Sequence, residues 1–287
     1  MAVHELPLEQ QNLHGYFSPD LEPVLEVDPS DSVRISVPNH AWDVARDEHF
    51  EAKNPELDKG HALAGPILVR GAAAGQTLEV RVDEVEPAEW GVTHGGRGHA
   101  IHWELSDGVG RALGREVDLG PFLGVMGMPP PVGGVHSTSP PRRWGGNMDC
   151  KELVAGTTLY LPIPVDGALF SAGDGHAAQG DGEVSGTAIE APTRAQLTLG
   201  LVDEPELEWP VARIDGAWLT FGFDEHLGLA ARIAVDGMIA LMERELDVTG
   251  DDALALASVA VDLRVTQVVN GVLGVHAELR DDAIRSQ

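Results

Sequence analysis

The segment 173–183 is rich in side chains that bind metal ions or transfer protons. Four such residues fall within ten positions, separated by glycine and alanine: Asp174, His176, Asp181 and Glu183. Small residues allow tight turns and leave room for an ion. Asp174 and His176 are two positions apart, so on a β-strand both side chains would project from one face. Carboxylate and imidazole donors without thiolates suit a catalytic Zn²⁺ or a similar ion.

Two other interpretations of this spacing stay open. An Asp in a glycine-rich turn most often caps its own backbone, and the chain contains 46 acidic residues in total. The carboxylates would also suit a structural Ca²⁺ in a β-sandwich binding module without catalytic activity. The central imidazole of His176 favours a transition metal over Ca²⁺, because Ca²⁺ prefers oxygen ligands.

Histidines elsewhere in the chain have a less specific setting. The segment 93–104 combines three histidines with glycines, and we expect a solvated loop there rather than the lining of a site. His40 and His61 are single histidines near predicted strands, and we interpret both as structural. The glycine-rich stretches match neither a phosphate-binding loop nor a dinucleotide fingerprint, and no GxSxG motif occurs.

A long stretch rich in glycine, proline and serine precedes the acidic segment. It follows residues 121–131 and ends at 144–152, a segment that carries Asp149, Cys150 and Lys151. Loops of this length are usually functional or disordered. Because the proline content is high and apolar residues flank the stretch, we expect an ordered, functional loop.

Short strands and two helices are predicted to position these segments. Residues 77–85 alternate apolar and charged side chains, which is typical of a half-exposed strand. Further strands are predicted at 157–163, 195–202, 67–69 and 218–221. Apolar residues at helical spacing predict a helix over Leu227–Leu246, and an N-cap at Thr249 predicts a second helix to about residue 261. Asn270-Gly271 then predicts a hairpin turn between strands 265–269 and 272–279.

These elements predict one mainly β (α+β) domain over residues 1–287. We expect a β-sandwich-like core, two helices in the C-terminal half and a terminal hairpin. The net charge of −27 would repel phosphate backbones and anionic lipids, so we expect neither nucleic acid nor membrane as a partner. One cysteine, Cys150, excludes a disulfide framework. Residues 1–11 show no secretory signal, so we expect a cytoplasmic protein.

Three motifs together resemble the acetamidase/formamidase family. They are PFLGVMG at 121–127, GGNMD at 145–149 and GDGHAAQGDGEV at 173–184, and the match continues through GTAIE at 186–190. The third motif is long and very specific. The resemblance implies a β-rich fold, a bound divalent metal and hydrolysis of a short linear amide to a carboxylate and ammonia. It also implies a homodimer or a larger homo-oligomer.

Carried over residue by residue, the resemblance implies a set of metal and catalytic positions. We assign the ion to Asp149, His176 and Glu190, and proton transfer between water and the leaving amine to Asp174 or Glu183. We expect the metal to be Zn²⁺, with Ca²⁺ as the alternative.

Two residues next to Asp149 complete the predicted chemistry. Lys151, one of three lysines, is predicted to stabilise the oxyanion of the reaction, with ordinary exposure at the surface as the alternative. Cys150 offers a rival mechanism, in which a thiol-dependent amidase uses this cysteine as its nucleophile instead of water.

Overall fold

The computed structural model describes residues 1–96, 98–203 and 207–285, and most of its elements are strands. In chain order the strands are β1 (Val3–Leu6), β2 (Leu13–His14), β3 (Leu25–Val27), β4 (Asp31–Val37), β5 (Asp43–Ala45), β6 (Glu48–His49), β7 (Leu63–Val69), β8 (Thr77–Pro87), β9 (Trp90–Gly95), β10 (His99–Ser106), β11 (Val109–Ala112), β12 (Arg115–Asp118), β13 (Phe122–Gly127), β14 (Gly145–Asn147), β15 (Thr158–Pro162), β16 (Phe170–His176), β17 (Thr193–Val202), β18 (Val211–Ile214), β19 (Ala217–Asp224), β20 (Val261–Gln267) and β21 (Leu273–Arg280).

Both predicted helices are present in the C-terminal half. Helix α1 spans Leu227–Leu246 and helix α2 spans Gly250–Ala260, while a short 3₁₀ helix occupies Gln10–Asn12. The Thr249 side chain caps α2 by accepting a hydrogen bond from the backbone N–H of Asp252. Within the part of the chain that the structure describes, no helix has the length and apolar character needed to cross a membrane.

Two large sheets form the body of the molecule. The nine-stranded sheet has the order β1-β4-β17-β8-β15-β18-β19-β21-β20. The second sheet has the order β14-β13-β16-β7-β2, with β3 also paired to β7. A four-stranded sheet, β12-β11-β10-β9, and the β5-β6 pair complete the set of sheets. The mainly β fold with two late helices is therefore confirmed.

One apolar core is shared by the two large sheets. It brings Leu78 and Leu197 of the nine-stranded sheet together with Ile67, Met126 and Phe170 of the second sheet. All five side chains are buried. This packing of sheet against sheet is the sandwich-like arrangement expected from the short alternating strands. A separate apolar cluster joins helices α1 and α2 to β21.

The hairpin at the C-terminal end is confirmed, with a longer first strand than predicted. Asn270 and Gly271 both have positive φ, 60° and 74°, but they lie within a connection of residues 268–272, which is longer than the two-residue turn that we predicted. Strand β20 begins at Val261, directly after α2, and pairs with β21.

The segment 93–104 is a hairpin and not the solvated loop that we predicted. Strands β9 and β10 pair from Trp90↔Glu104 to Gly95↔His99. The side chains of β10 alternate weakly between exposed and half-buried positions, so the segment lacks the apolar alternation that reveals a strand. Arg97 lies outside the described residues.

Candidate active site

Three adjacent strands of the second sheet position the first site residues. Strand β13 lies between β14 and β16. Asp174 and His176 lie on β16, and Asp149 follows β14 by two residues. The backbone carbonyl of Gly124, in the middle of β13, accepts from the N–H groups of Met148 and Asp149 at 3.0 and 3.2 Å. Neighbouring strands thus bring residues 25 positions apart in the sequence to one place.

Glu183 and Glu190 come from the irregular segment between β16 and β17. Glu190 lies ahead of β17 and forms isolated bridges with Val92 and His176. Its Oε1 accepts a hydrogen bond from the Ala188 N–H at 2.8 Å. The bridge to His176 fixes the Glu190 carboxylate beside the imidazole of β16.

Asp149, Asp174, His176, Glu183 and Glu190 form one buried cluster, called the acidic cluster below. His176 Nε2 lies 3.3 Å from Glu190 Oε2 and 3.5 Å from Asp174 Oδ2. Ligand-type atoms of two trios lie within 4.8 Å of one another: Asp174, His176 and Glu190, and Asp149, His176 and Glu183. All five side chains are buried. The structure therefore brings together the whole predicted set except Lys151.

Three carboxylates of the acidic cluster are held by unusual backbone conformations. Asp149, Asp174 and Glu183 have φ values of 48°, 59° and 44°, in the left-handed region. Such conformations cost about 1–3 kcal/mol each in non-glycine residues, and they concentrate at functional sites. The surrounding sheet must therefore stabilise them, and the conformation turns each carboxylate toward the centre of the cluster.

Gly124 leaves the space in which these side chains converge. A Cβ atom at this position would lie 2.6 Å from both Asp149 Oδ1 and Asp174 Oδ2, and 3.0 Å from His176 Cε1. The glycine does not adopt a positive φ, so its backbone conformation alone does not require glycine. The absence of a side chain is what keeps the acidic cluster open.

Several oxygen atoms of the acidic cluster lack a protein partner. Asp149 Oδ1, Asp174 Oδ1 and Glu190 Oε2 are buried and have no hydrogen-bond partner among the described residues. Glu190 Oε2 approaches His176 Nε2 without the alignment of a hydrogen bond. Because buried polar atoms are nearly always paired, these oxygens favour a cation as their missing partner. The donor set of carboxylates and one imidazole suits a divalent ion.

Charges within the acidic cluster shift its pKa values in opposite directions. Burial opposes the charged imidazole, but the carboxylates of Glu190 and Asp174 outweigh it and raise the pKa of His176 well above 6.5. Burial also opposes charge on Glu190, and the neighbouring His176 nevertheless holds its pKa well below the usual value. Burial raises the pKa of Asp149 to about 7 and that of Glu183 to about 10. A divalent ion would displace the proton of any carboxyl group that binds it directly.

Gln179 fixes the orientation of the imidazole, a role that the sequence analysis missed. His176 Nδ1 lies 3.0 Å from Gln179 Oε1, and Gln179 Nε2 donates to the backbone carbonyl of Asp149 at 2.7 Å. Since an amide oxygen only accepts, His176 carries a proton on Nδ1, and Nε2, which faces Asp174 and Glu190, is the nitrogen that would bind a metal after losing its own proton. Asn270 holds the Asp149 carboxylate by donating a hydrogen bond to its Oδ2 at 2.6 Å.

His40 and His61, interpreted from the sequence as structural, lie at the edge of the acidic cluster. His40 Nδ1 is 3.3 Å from Glu190 Oε2, and His61 Nε2 is 3.9 Å from Asp174 Oδ2. Both line a surface cleft of about 530 Å³. The two histidines therefore lie between this cleft and the buried carboxylates. No local motif links these histidines to the acidic segment, which begins more than a hundred residues later.

The structure does not place Lys151 where the sequence analysis predicted it. Its Nζ lies 2.9 Å from Asp181 Oδ1, and Asp181 in turn pairs with Arg264. The lysine therefore forms a half-exposed ion pair and does not face the acidic cluster, where an oxyanion would form. Asp181, which the sequence grouped with Asp174, belongs to this pair and not to the acidic cluster.

Cys150 is poorly suited to act as a nucleophile. The residue is completely buried, and its Sγ donates to Glu152 Oε2 at 3.3 Å. Burial raises the pKa of the thiol well above its usual value, and the charge of Glu152 adds to the rise. Because the thiolate is the reactive form, the structure disfavours the thiol-dependent alternative.

Comparison with known sequences supports the resemblance seen in the motifs. Residues 3–111 and 134–213 match the Acetamidase/Formamidase family model. The chain is 25% identical to the formamidase of Methylophilus methylotrophus over 278 residues, covering 71% of this chain and 68% of that protein. A Schizosaccharomyces pombe protein named as a presumed formamidase is 26% identical. The match covers 62% of this chain and 60% of that relative, so the chain spans only part of its length.

Solved structures share the whole architecture. A recombinant predicted acetamidase/formamidase from Thermoanaerobacter tengcongensis has a TM-score of 0.88 and 25% identity, covering 97% of this chain and 96% of that one. The acetamidase of Bacillus halodurans has a TM-score of 0.86 and 25% identity, covering 96% and 97%. The family model matches well over half of the chain, including the residues that build the acidic cluster. The chain belongs to the acetamidase/formamidase family.

Proposed function

We propose that the protein hydrolyses a short linear amide, of the size of formamide or acetamide, to a carboxylate and ammonia, using a divalent cation. The convergence of Asp149, Asp174 and His176 on the space that Gly124 leaves open, with Glu190 within ligand distance of Asp174 and His176, carries this proposal. Membership of the acetamidase/formamidase family supports the substrate class. The mixed imidazole and carboxylate donors favour Zn²⁺ over Ca²⁺.

Asp174, His176 and Glu190 would hold the ion, with Asp149 Oδ1 facing the same space beside Gly124. This assignment moves Asp174 from proton transfer to metal binding, because its carboxylate lies within reach of both other donors. When bound, a divalent cation lowers the pKa of a water molecule and draws charge from the amide carbonyl.

Glu183 would carry out proton transfer in the reaction. Hydrolysis moves one proton from the attacking water to the departing nitrogen, which gives a carboxylic acid and ammonia, and the acid then releases its remaining proton to solvent to become the carboxylate. Glu183 belongs to the acidic cluster, and its carboxyl group faces Asp149 and His176. Burial favours its protonated form, as a group that donates to the leaving amine requires.

His40 and His61 would bind and orient the substrate at the inner end of the cleft. Both touch the acidic cluster through one ring nitrogen and remain partly exposed, with side-chain exposures of 24% and 17%. An amide entering from the cleft would meet them before it reaches the buried carboxylates. We also propose a cytoplasmic homo-oligomer, as the resemblance implies, which light scattering on the purified protein would test.

The test is ammonia release from formamide and acetamide by wild-type protein and by His176→Ala. We expect the variant to lose activity and one metal ion per chain together, while its melting temperature stays near that of the wild type. A structural histidine would give the opposite pattern, with metal content retained and melting temperature lowered. That pattern, or a wild type that releases no ammonia from either amide, would contradict the proposal.

A further inference from the structure

Cys150, Glu152 and His276 form a second buried group, distinct from the acidic cluster. Cys150 and His276 have no exposed surface, and the Glu152 side chain is 10% exposed. The Cys150 Sγ, one Glu152 oxygen and one His276 ring nitrogen all lie within 4.8 Å of one another. The thiol already donates to Glu152 Oε2 at 3.3 Å. Thiol, carboxylate and imidazole therefore face a common point.

His276 presents an unpaired nitrogen to this point. Its Nδ1 is hydrogen-bonded to Thr266 Oγ1 at 2.8 Å, which fixes the ring. Its Nε2 is buried, has no hydrogen-bond partner within the described ranges, and lies 3.8 Å from Glu152 Oε2. A fully buried ring nitrogen without a hydrogen-bond partner is rare, so it indicates a binding partner such as a metal ion. A hydrogen bond on one ring nitrogen commonly orients the other toward a metal.

The charged groups around Glu152 carry a net negative charge that a cation would neutralise. Arg264 Nη2 lies 2.7 Å from Glu152 Oε1, and the same guanidinium pairs with Asp181 and Glu278. Lys151 also pairs with Asp181. Three carboxylates thus face two cations, so the network keeps one net negative charge, and a thiolate beside it would make two. A divalent ion would neutralise that charge, while Arg264 keeps Glu152 in place.

We propose that Cys150 Sγ, Glu152 Oε2 and His276 Nε2 bind a second metal ion, Zn²⁺ or a similar transition ion. Thiolate and imidazole select such ions over Ca²⁺ and Mg²⁺. On binding, the S–H bond breaks, its proton passes to solvent, and the sulfur electron pair coordinates the metal. Three protein donors leave a fourth tetrahedral position for a water molecule.

This metal would act as a link between the two large sheets. Cys150 and Glu152 follow β14 of the second sheet, whereas His276 lies on β21 of the nine-stranded sheet. Asp149 of the acidic cluster directly precedes Cys150. The ion would therefore stabilise the folded state, and it takes no part in the chemical step.

Cobalt substitution tests this site separately from the acidic cluster. The chain contains one cysteine, so any thiolate-to-cobalt charge-transfer absorption in the near ultraviolet must come from Cys150. We expect protein produced in cobalt-supplemented medium to show this absorption. We expect Cys150→Ser to lose the absorption and one equivalent of cobalt per chain. Wild-type protein that contains cobalt but shows no such absorption would overturn the proposal.

Two further variants separate this site from the proposed function. Asp174→Asn alters the acidic cluster alone, so it should keep the thiolate absorption even though ammonia release falls. His276→Gln should lose the absorption while Cys150 remains. Retention of the wild-type absorption in His276→Gln would overturn the assignment of His276. Loss of the absorption in Asp174→Asn would show that the two sites are not distinct.

Discussion

Replacing Gly124 by alanine probes the geometry of the acidic cluster with a single methyl group. Ordinary van der Waals contact begins at 3.4 Å, whereas the new Cβ would lie 2.6 Å from Asp149 Oδ1 and from Asp174 Oδ2. Both carboxylates must therefore move by about 0.8 Å, or the β13 backbone must move instead. Overpacking of this kind costs about 1–3 kcal/mol of folding stability.

The displacement is large compared with what the site tolerates. Catalytic and metal-binding side chains must be held within about 0.5 Å of their productive positions. Metal–ligand distances tolerate deviations of only about 0.2 Å. A misplacement of about 1 Å can cost about a hundredfold in rate. We therefore expect Gly124→Ala to lower ammonia release by about a hundredfold and to weaken binding of the metal in the acidic cluster.

A nearby glycine supplies the matched control. Gly120 precedes β13 and also lacks a positive φ, and no described atom lies within 4 Å of a Cβ placed there. Gly120→Ala should therefore keep wild-type ammonia release and metal content. Both variants would be assayed with formamide and acetamide, by metal analysis and by thermal unfolding. A Gly124→Ala protein with wild-type metal content and activity would refute the placement of the ion beside this glycine.

Three further predictions address other residues. Gln179→Ala removes the hydrogen bond that orients the His176 ring, so metal affinity measured by calorimetry should fall about 10–100-fold while the fold is kept. Unchanged metal affinity would contradict the role of Gln179 in orienting the ring. Cys150→Ser should keep most ammonia release because water is the proposed nucleophile, whereas a loss of more than about a thousandfold would favour the thiol route. The folded-state pKa values of Asp149 and Glu183 are raised to about 7 and about 10, so the stability they contribute is present in acid and lost as pH rises. The melting temperature of chelator-treated protein should therefore fall progressively from about pH 5 to about pH 9. The melting temperature of Glu183→Gln should fall less steeply over the same pH range. An equal dependence of melting temperature on pH in both proteins would contradict the contribution of Glu183.

Local patterns were sufficient to predict much of the fold. Helix α1 spans the predicted Leu227–Leu246 because its apolar residues repeat at helical spacing, and Thr249 caps α2 by a short-range contact. Asn270 and Gly271 adopt the positive φ values that their backbone preferences favour, although the connection between the strands is longer than two residues. The β9–β10 hairpin was missed because it packs little apolar surface and so carries no alternating pattern.

The acidic cluster was predictable only where its residues are close in sequence or share a motif. Asp174 and His176 were visible as a pair because a strand places them on one face. The contributions of His40, His61 and Gly124 depend on contacts between distant strands, which spacing along the chain does not encode. Lys151 was assigned to the site because it follows Asp149, but a side chain can be recruited by any nearby carboxylate, here that of Asp181.

Metal removal and restoration tests the central claim most directly. The wild-type protein would be stripped of metal with a chelator, assayed for ammonia release from formamide and acetamide, and then titrated with Zn²⁺ while bound metal is counted. We predict that activity disappears with the metal and returns as the ion of the acidic cluster is restored. Full activity in thoroughly demetallated protein would contradict the account.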